Sequence, residues 1–214
     1  AHYLILKGGA GSGKSHFAAQ KCLFRIINEP INHRILLVRK VHKTIKESQF
    51  QLIRDKINAW GLSAFFSENK SDLTFTYEPN GNKIISFGLD DREKLKSIER
   101  ITSTWIEEAT ELEKDDLLQL DLRLRGDVGT YKQNILSFNP IDAGHWIKAM
   151  FFDSAIDSCV IDHSTADGNP WIDEEYLARL HALQQQDKML YSVYALGKWG
   201  VLEGRIYSNW ETCK

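Results

Sequence analysis

The sequence predicts an α/β domain in which helices flank a mainly parallel sheet. Short apolar runs recur along the chain and alternate with longer stretches in which apolar residues recur at helical spacing. The chain has 214 residues, 43% of them hydrophobic, which suffices for one such domain and a small appendage. We therefore expect a core domain at residues 1–165, a small helical lid at residues 166–204 and the start of a linker at residues 205–214.

Each predicted strand is a buried apolar run, and the predicted helices are bounded by residues that start or stop helices. Pro30 ends the first helix, because proline cannot continue a helix and restricts the residue before it. Asn80-Gly81 predicts a hairpin between two antiparallel strands, since both residues tolerate a positive φ. Thr110 and Glu113 fit a capping box, which predicts a helix that starts there and ends before Gly126. The predicted strands are 3–7, 34–39, two within 73–87, 101–106, 134–138 and 160–163; the predicted helices are 15–28, 44–60, 110–125 and 173–196, the last interrupted at 184–187.

The segment between the first strand and the first helix reads Gly-Gly-Ala-Gly-Ser-Gly-Lys-Ser and matches the phosphate-loop pattern G-x-x-x-x-G-K-[ST] in full. Its glycines let successive backbone N–H groups point at a β-phosphate, and the following helix presents the positive end of its dipole there. Lys14 is expected to reach the β- and γ-phosphate oxygens, and the Ser15 hydroxyl to ligate Mg²⁺. The residues expected to bind a nucleoside triphosphate are Gly8, Gly9, Ala10, Gly11, Ser12, Gly13, Lys14, Ser15 and His16.

Two consecutive acids, Glu107 and Glu108, follow a buried strand and supply what hydrolysis needs beside a phosphate loop. Consecutive side chains at a strand end diverge, so one carboxylate can face a metal ion and the other the γ-phosphate. We assign Glu107 to Mg²⁺, through water, and Glu108 to activation of the attacking water. The alternative for either acid taken alone is that acids often begin helices for electrostatic reasons.

Asn139 follows the predicted strand 134–138 and is expected at the same carboxyl edge, where ligands bind in parallel sheets. Its amide can hydrogen-bond the γ-phosphate or the water, and can thereby sense whether hydrolysis has occurred. Ser137 is a weaker candidate for the same role. The alternative is that Asn139-Pro140 is only a turn.

Composition and charge exclude several classes of function. The net charge is −2, from 27 Lys and Arg against 29 Asp and Glu, which argues against a surface coated with basic residues for tight sequence-independent DNA binding. No apolar stretch approaches the roughly 18 residues that a membrane span needs. Cys22, Cys159 and Cys213 have no metal-ligand spacing and are interpreted as free or buried thiols in a reducing cytosol. The six tryptophans are interpreted as mostly buried.

These residues in this order resemble the ATPase domain of the large terminase subunit of tailed bacteriophages, the motor that drives DNA into an empty procapsid. The resemblance covers nearly the whole chain and includes segments outside the nucleotide site, which makes the combination specific. The segments that carry it are the phosphate loop, 88–97, 104–112, 123–125, 137–140, 196–200 and 203–207.

The resemblance implies a RecA-like P-loop sheet with a helical lid, ATP and Mg²⁺ as ligands, and hydrolysis coupled to translocation of double-stranded DNA. It also implies a ring of such subunits at the procapsid portal vertex in the host cell cytoplasm, with the portal protein and the small terminase subunit as partners and no membrane. We expect a monomer in isolation. An arginine of a neighbouring subunit commonly completes the site in such rings. The candidates are Arg100, Arg123 and Arg125, and the alternative for each is an ordinary surface arginine.

The chain departs from the family pattern in two respects. Many members carry a basic residue inside the phosphate loop where this chain has Ala10, and Lys7 is an imperfect substitute for it. The subunit in this family also continues into a metal-dependent nuclease domain, and we expect no DNA cleavage by the present chain.

Three alternatives remain open at this stage. A P-loop small-molecule kinase shares the phosphate loop and a helical lid, but a kinase excludes water, whereas Glu108 is suited to positioning it. A helicase-like translocase of cellular origin shares the chemistry without the packaging role. A nucleotide-binding assembly module binds ATP to form rings and hydrolyses it poorly when isolated.

Overall fold

The computed structural model describes residues 1–29, 33–91 and 98–201, and an eight-stranded sheet runs through all three segments. The order of the strands across the sheet is β3-β4-β5-β2-β6-β7-β1-β8. The six strands from β5 to β8 in that order are parallel to one another, whereas β4 is antiparallel to β5 and β3 is antiparallel to β4. The strands are β1 Tyr3–Gly8, β2 Arg34–Arg39, β3 Phe66–Asn69, β4 Thr74–Tyr77, β5 Asn82–Gly88, β6 Ser103–Glu107, β7 Gln133–Phe138 and β8 Cys159–Ser164.

Helices cover both faces of this sheet. On one face α1 and α3 pack over the strands, and on the other α4 and α5 do so. The helices are α1 Lys14–Asn28, α2 His42–Ile45, α3 Gln49–Ala59, α4 Lys114–Leu122, α5 Trp146–Phe151 and α6 Glu174–Gln186. Beyond α6, a helical turn at Lys188–Leu190 leads into a π-helical turn at Tyr191–Ala195. Among the described residues, no helix combines the length and the apolar character that crossing a membrane requires.

The two faces of the sheet have separate apolar cores, because successive side chains of a strand point to opposite faces. In β1, Leu4 and Leu6 pack under α1 and α3, and Ile5 packs on the opposite face with α4 and α5. Trp105 of β6 is fully buried under α1 and α3. A strand that is buried on both faces needs apolar side chains at nearly every position, which is why the strands are continuous apolar runs in the sequence.

The predicted α/β class is confirmed, and so are the predicted strands at 3–7, 34–39, 101–106, 134–138 and 160–163, each within a residue or two of its observed bounds. The hairpin around Asn80-Gly81 is confirmed as β4 and β5, with Gly81 at a φ of +73°. The first helix and the interruption of the last one near Gln186 are confirmed as well. The division into units at residues 165 and 204 stays a prediction.

Several details of the sequence analysis are wrong. The helix expected at 44–60 is two helices, because residues 46–48 form a turn between α2 and α3. The capping box is not Thr110 with Glu113: a 3-10 turn occupies Ala109–Glu111, so the helix starts later, and Glu113 forms the box with Asp116. That helix ends at Leu122 rather than Arg125. Strand β3 is not predicted at all.

The burial of the cysteine and tryptophan side chains can be compared with the predictions from the sequence. Cys22 is buried, Cys159 is half-buried, and both are free thiols, whereas Cys213 lies outside the described residues. Trp105 is buried as expected. The expectation fails for Trp60 and Trp171, which are 41% and 92% exposed.

Candidate active site

The phosphate loop connects β1 to α1 and has the shape that its glycines allow. Gly11 and Gly13 adopt positive φ angles of +71° and +87°, which side chains of L-residues rarely accept. Gly13 is the residue that caps the amino end of α1. The helix axis therefore points its first N–H groups into the loop, as anion binding requires.

The loop amides divide into two sets. Gly9 donates its N–H to the Ser164 carbonyl at 3.0 Å, and Ala10 donates to the Tyr194 carbonyl at 2.8 Å, so these two amides anchor the loop to its neighbours. In the described part of the chain, the N–H groups of residues 11–15 donate to no protein acceptor. The second set is therefore the one that suits a phosphate.

Lys14 reaches back across the loop from the first turn of α1. Its ammonium donates to the carbonyls of Gly9 at 2.6 Å and Gly8 at 3.2 Å, and to the Ser12 hydroxyl at 3.1 Å. Burial lowers the pKa of Lys14 to about 8, against the opposing effect of Glu108 and Glu107. Both glutamates thus lie near enough to the ammonium to interact with it electrostatically, as the sequence analysis expects of residues that share one site.

The tandem glutamates stand two strands away from the loop, at the same edge of the sheet. β7 pairs with both β1 and β6, and Glu107 lies opposite Ser137 in that pairing. Glu108 has a φ of +51° and a ψ of +50°, a left-handed conformation that costs a residue with a side chain free energy and recurs at functional sites. The Glu107 carboxylate contacts the hydroxyls of Ser15 and Ser48, and the Glu108 carboxylate interacts electrostatically with Glu111 and Lys14.

Both carboxylates are buried enough to affect their ionisation. Burial raises the pKa of Glu107, while the Ser15 hydroxyl and the Arg39 guanidinium act in the opposite direction. Burial also raises the pKa of Glu108, and there Arg39 and then Lys14 oppose it. The cations at this edge therefore favour the ionised form that metal binding and base catalysis both require.

The residues present fit a Mg²⁺ ion. Glu107 has one buried carboxylate oxygen, Oε2, without a hydrogen-bond partner among the described residues, and the Ser15 hydroxyl lies beside the same side chain. The described residues contain no group of three or more His, Cys, Asp or Glu side chains that could hold a metal. Ser15 and Glu107 would be the protein side of a Mg²⁺ site, since Mg²⁺ usually takes one or two protein ligands and completes its shell with waters and nucleotide phosphates.

Arg39 is the site residue that sequence reasoning missed. It is the last residue of β2, which pairs with β6, so its side chain emerges beside the tandem glutamates. Its Nη2 lies 3.4 Å from Glu111, and its buried Nε has no partner in the described structure. Its position in the sequence could have identified it. Arg39 ends a buried strand, as Glu107 does, and the carboxyl ends of parallel strands lie at one edge of the sheet.

Asn139 and Ser137 have different surroundings. Asn139 follows β7, between the strands that carry the phosphate loop and Glu107, and its side chain is half-buried. The hydroxyl of Ser137 is fully buried and accepts a hydrogen bond from the Trp105 indole N–H at 2.9 Å. That contact removes Ser137 from the phosphate side, so of these two candidates the geometry favours Asn139.

The three arginine candidates lie at the opposite edge of the sheet. Arg100 precedes the amino end of β6, and Gly126, next to Arg125, donates its N–H to the Ile101 carbonyl beside it. Arg123 follows the last residue of α4 and lines the same small surface depression as Arg125. The five residues of β6, at about 3.3 Å each, separate this edge from Glu107.

The segment after β8 folds back over the phosphate loop. Asn169 donates its side-chain amide to the Gly11 carbonyl at 2.7 Å. Lys7 donates to the Gly197 carbonyl at 3.0 Å. His16, in the first turn of α1, has an exposed side chain.

Comparisons with known proteins agree on one family. The profile of the family described as "Phage terminase large subunit" matches residues 1–198. The PBSX phage terminase large subunit of Bacillus subtilis (strain 168) is 30% identical over 228 aligned residues, which cover 98% of this chain and 52% of that protein. The chain thus spans about half the length of this relative.

Solved structures show the same fold. The large terminase from a thermophilic bacteriophage superposes with a TM-score of 0.80 at 18% identity, over 97% of this chain and 50% of that one. A structure of the same protein in complex with ATP-gamma-S has a TM-score of 0.75 at 15% identity, over 93% of this chain and 48% of that one. The fold is therefore the RecA-like P-loop fold of large terminases, and the chain belongs to the phage terminase large subunit family.

Proposed function

We propose that this chain is the ATP-hydrolysing part of a motor that moves double-stranded DNA into a procapsid. The observation that carries the proposal is the placement of the Lys14 ammonium and the two glutamates, Glu107 and Glu108, at one edge of the sheet. The family membership and the relative in complex with ATP-gamma-S support the choice of nucleotide.

Each residue of the site has a separate task in this proposal. The amides of residues 11–15 hold the β-phosphate, and Lys14 neutralises charge on the β- and γ-phosphate oxygens. Ser15 and Glu107, the latter through water, hold Mg²⁺, which supplies further neutralisation of the phosphate charge when it is bound. Glu108 accepts a proton from the attacking water as the water adds to the γ-phosphorus and the bond to the β-phosphate oxygen breaks. Asn139 is placed to hydrogen-bond the γ-phosphate or that water.

The assembly proposed for the chain is a ring at the portal vertex in the host cytoplasm, formed with the portal protein and the small terminase subunit. Arg100, Arg123 or Arg125 then acts on the nucleotide of a neighbouring subunit, which agrees with their position at the edge opposite the chain's own site. Within the chain, residues 1–165 are the motor core and residues 166–204 the lid.

The test is the hydrolysis of ATP by the Glu108→Gln variant. The substitution keeps the size of the side chain and removes its basicity, so nucleotide affinity is retained while hydrolysis falls by about 100-fold or more, the scale of a general base. Phosphate release and binding of a non-hydrolysable analogue are measured separately. Glu175→Gln is the matched control, because Glu175 is an exposed side chain of α6 that pairs with Arg179.

Two results would contradict the proposal. Equal turnover in wild type and Glu108→Gln would remove Glu108 from the mechanism. Transfer of the γ-phosphate to an added small molecule, without release of inorganic phosphate, would identify a kinase instead. Double-stranded DNA is expected to raise the hydrolysis rate when subunits assemble, and an assembled ring whose rate ignores DNA would refute the motor role.

A further inference from the structure

A groove of about 660 Å³ opens at the amino end of α4. It lies between three connections that leave the carboxyl edge of the sheet: the turn after β2, the 3-10 turn before α4, and the segment from β7 to α5. Among the described residues that line this groove, none belongs to the phosphate loop. The groove is therefore a surface separate from the nucleotide site.

The walls of this groove are acidic. The carboxylates of Glu111, Glu113 and Asp142 line it, together with the ammonium of Lys40. His145 also lines it and is neutral near pH 7, because burial lowers its pKa below the ordinary 6.5. Such a groove repels a polyanion such as DNA and attracts a cationic partner. We call it the acidic groove.

The acidic groove also offers apolar surface between its carboxylates. Val41 lines it and is 45% exposed. Trp146 lines it as well, and its ring is held in place because the indole N–H donates to the Leu112 carbonyl at 2.7 Å. The groove therefore suits an occupant that combines cationic and apolar side chains.

The same chain carries this combination at the other end of α4. Leu122, the last residue of α4, is 66% exposed, and it lies beside Arg123 and Arg125 at the surface. Arg125 donates its Nε–H to the Leu122 carbonyl at 2.8 Å, and neither guanidinium has a carboxylate partner among the described residues. We call these three residues the basic end of α4. The nine residues of α4 separate it from the groove by about 13 Å, and a helix does not fold back on itself.

The complementary charges of the two surfaces identify the partner. We propose, on the basis of the proposed function, that the acidic groove is the docking site for the basic end of α4 of a second copy of this chain. Leu122 of one copy then packs on Val41 and Trp146 of the other, and the two guanidiniums pair with the groove carboxylates. Because the two surfaces differ, the contact is head-to-tail, and its repetition builds a ring when the rotation closes.

Docking at the groove reaches the catalytic edge through Glu111. The Glu111 carboxylate accepts from Arg39 Nη2 at 3.4 Å, and its charge raises the pKa of Glu108. A guanidinium of a second copy that pairs with Glu111 neutralises that charge. Docking is therefore expected to favour the ionised form of Glu108, which base catalysis requires.

The experiment uses a carbodiimide, a zero-length reagent that joins an amine to a carboxylate in contact with it. Arg123→Lys supplies an amine at the basic end of α4. Chains with different isotope labels are mixed, cross-linked and digested, so that mass spectrometry recognises peptides that join two chains. Cross-links from position 123 to Glu111, Glu113 or Asp142 of another chain are expected. The reaction captures contacts that are too brief to give a stable oligomer.

Charge reversal supplies a second measurement. Arg123→Glu with Arg125→Glu reverses the basic end of α4, and Glu111→Lys with Asp142→Lys reverses the groove, while Glu113 is kept because it caps α4. A mixture of the two variants is expected to cross-link between these positions at about 10 times the yield of either variant alone or more, because opposite charges meet only in the mixture.

Glu174→Lys with Glu175→Lys is the matched control for the reversed groove. It makes the same change of charge at two exposed side chains of α6, outside the groove. Mixed with the reversed basic end, this control is expected to give no more cross-links from positions 123 and 125 than that variant gives alone.

The outcomes separate this inference from the proposed function. Cross-links from position 123 that are absent between chains, or scattered over carboxylates outside the groove, would overturn the inference, and so would a mixture that recovers no cross-linking. Hydrolysis that depends on Glu108 would then still support the proposed function. Cross-links at the groove in a chain that does not hydrolyse ATP would support the docking surface and refute the proposed function.

Discussion

Gly197 packs directly on Gly8, so that a Cβ placed on Gly197 would lie 2.8 Å from the Gly8 Cα. The same position would bring it 2.8 Å from the backbone N of Gly9, and Gly197 has a φ of +59°. The end of the described chain therefore touches the start of the phosphate loop backbone to backbone. Only glycine fits both the contact and the conformation.

The first prediction concerns this contact. Gly197→Ala is expected to lower the free energy of unfolding by about 1 to 3 kcal/mol beyond the cost of the backbone conformation, because atoms at the contact would overlap. ATP affinity is expected to fall with it, since Gly8 and Gly9 must move. Urea unfolding and a binding titration measure the two effects.

Gly61→Ala is the control for Gly197→Ala. Gly61 also has a positive φ, +67°, but a Cβ there would meet nothing within 4 Å. It should cost only the backbone term of about 1 to 2 kcal/mol and leave ATP affinity unchanged. Identical effects of the two substitutions would show that the contact with the loop is unimportant.

A second prediction concerns Arg39. Its guanidinium favours the ionised form of both tandem glutamates and approaches Glu111. Arg39→Ala is expected to slow ATP hydrolysis about 10- to 100-fold, the usual effect of losing a residue that supports a metal-binding carboxylate. Arg54→Ala, which breaks a pair with Glu68 away from the site, should hydrolyse ATP at the wild-type rate. A normal rate for Arg39→Ala would contradict the prediction.

The third prediction is that acid destabilises the protein partly through His145. Its Nδ1 accepts from the Ile147 N–H at the start of α5, and its Nε2–H donates to the Thr110 carbonyl, so this arrangement needs the neutral ring. Burial lowers the pKa of His145 below its ordinary 6.5, so the unfolded chain takes up a proton at a higher pH than the folded chain. The stability is therefore complete above pH 6.5 and is lost as the pH falls below that value.

Urea unfolding at about pH 7.5 and about pH 5 tests this, with His145→Asn as the comparison. Asparagine keeps a capping acceptor and does not titrate. We expect the variant to lose about 1 kcal/mol less than wild type on acidification, the usual worth of one helix cap. Equal losses would assign the acid sensitivity to other groups.

The fourth prediction separates Ser137 from Asn139. Ser137→Ala leaves the buried indole N–H of Trp105 without its acceptor, which is expected to cost about 1 to 3 kcal/mol of unfolding free energy. Asn139→Ala is expected to reduce hydrolysis about 100-fold, the effect of losing one preorganised donor, with little change in stability. Thermal unfolding and phosphate release distinguish the two. A larger catalytic loss in Ser137→Ala would reverse this assignment.

The parts of the structure that follow from local pattern were predictable. The strands of the sheet centre are buried on both faces, so each is a continuous apolar run, and the phosphate loop follows from its glycines and Lys14. The place of the glutamates followed from the rule that parallel strands present their carboxyl ends at one edge. Local pattern and that one rule sufficed for these elements.

The rest depends on contacts between distant residues. Glu108 takes a left-handed conformation and is followed by a 3-10 turn, which shifts the helix start from Thr110 to Glu113. Arg39 lies near the glutamates because β2 pairs with β6. Trp171 is exposed because Asn169 holds the turn before it against Gly11. None of these pairings leaves a periodic trace in the sequence.

The hydrogen bonds between the Lys14 ammonium and its own loop have a consequence for the binding and release of nucleotide. Because the ammonium already has oxygen partners in Gly8, Gly9 and Ser12, an incoming triphosphate exchanges those partners for its own oxygens. These contacts hold the free loop in its curved shape, so we expect nucleotide binding to order little additional backbone. In the proposed motor, the same oxygens would receive the ammonium again when the product departs, which would leave the loop ready for the next nucleotide.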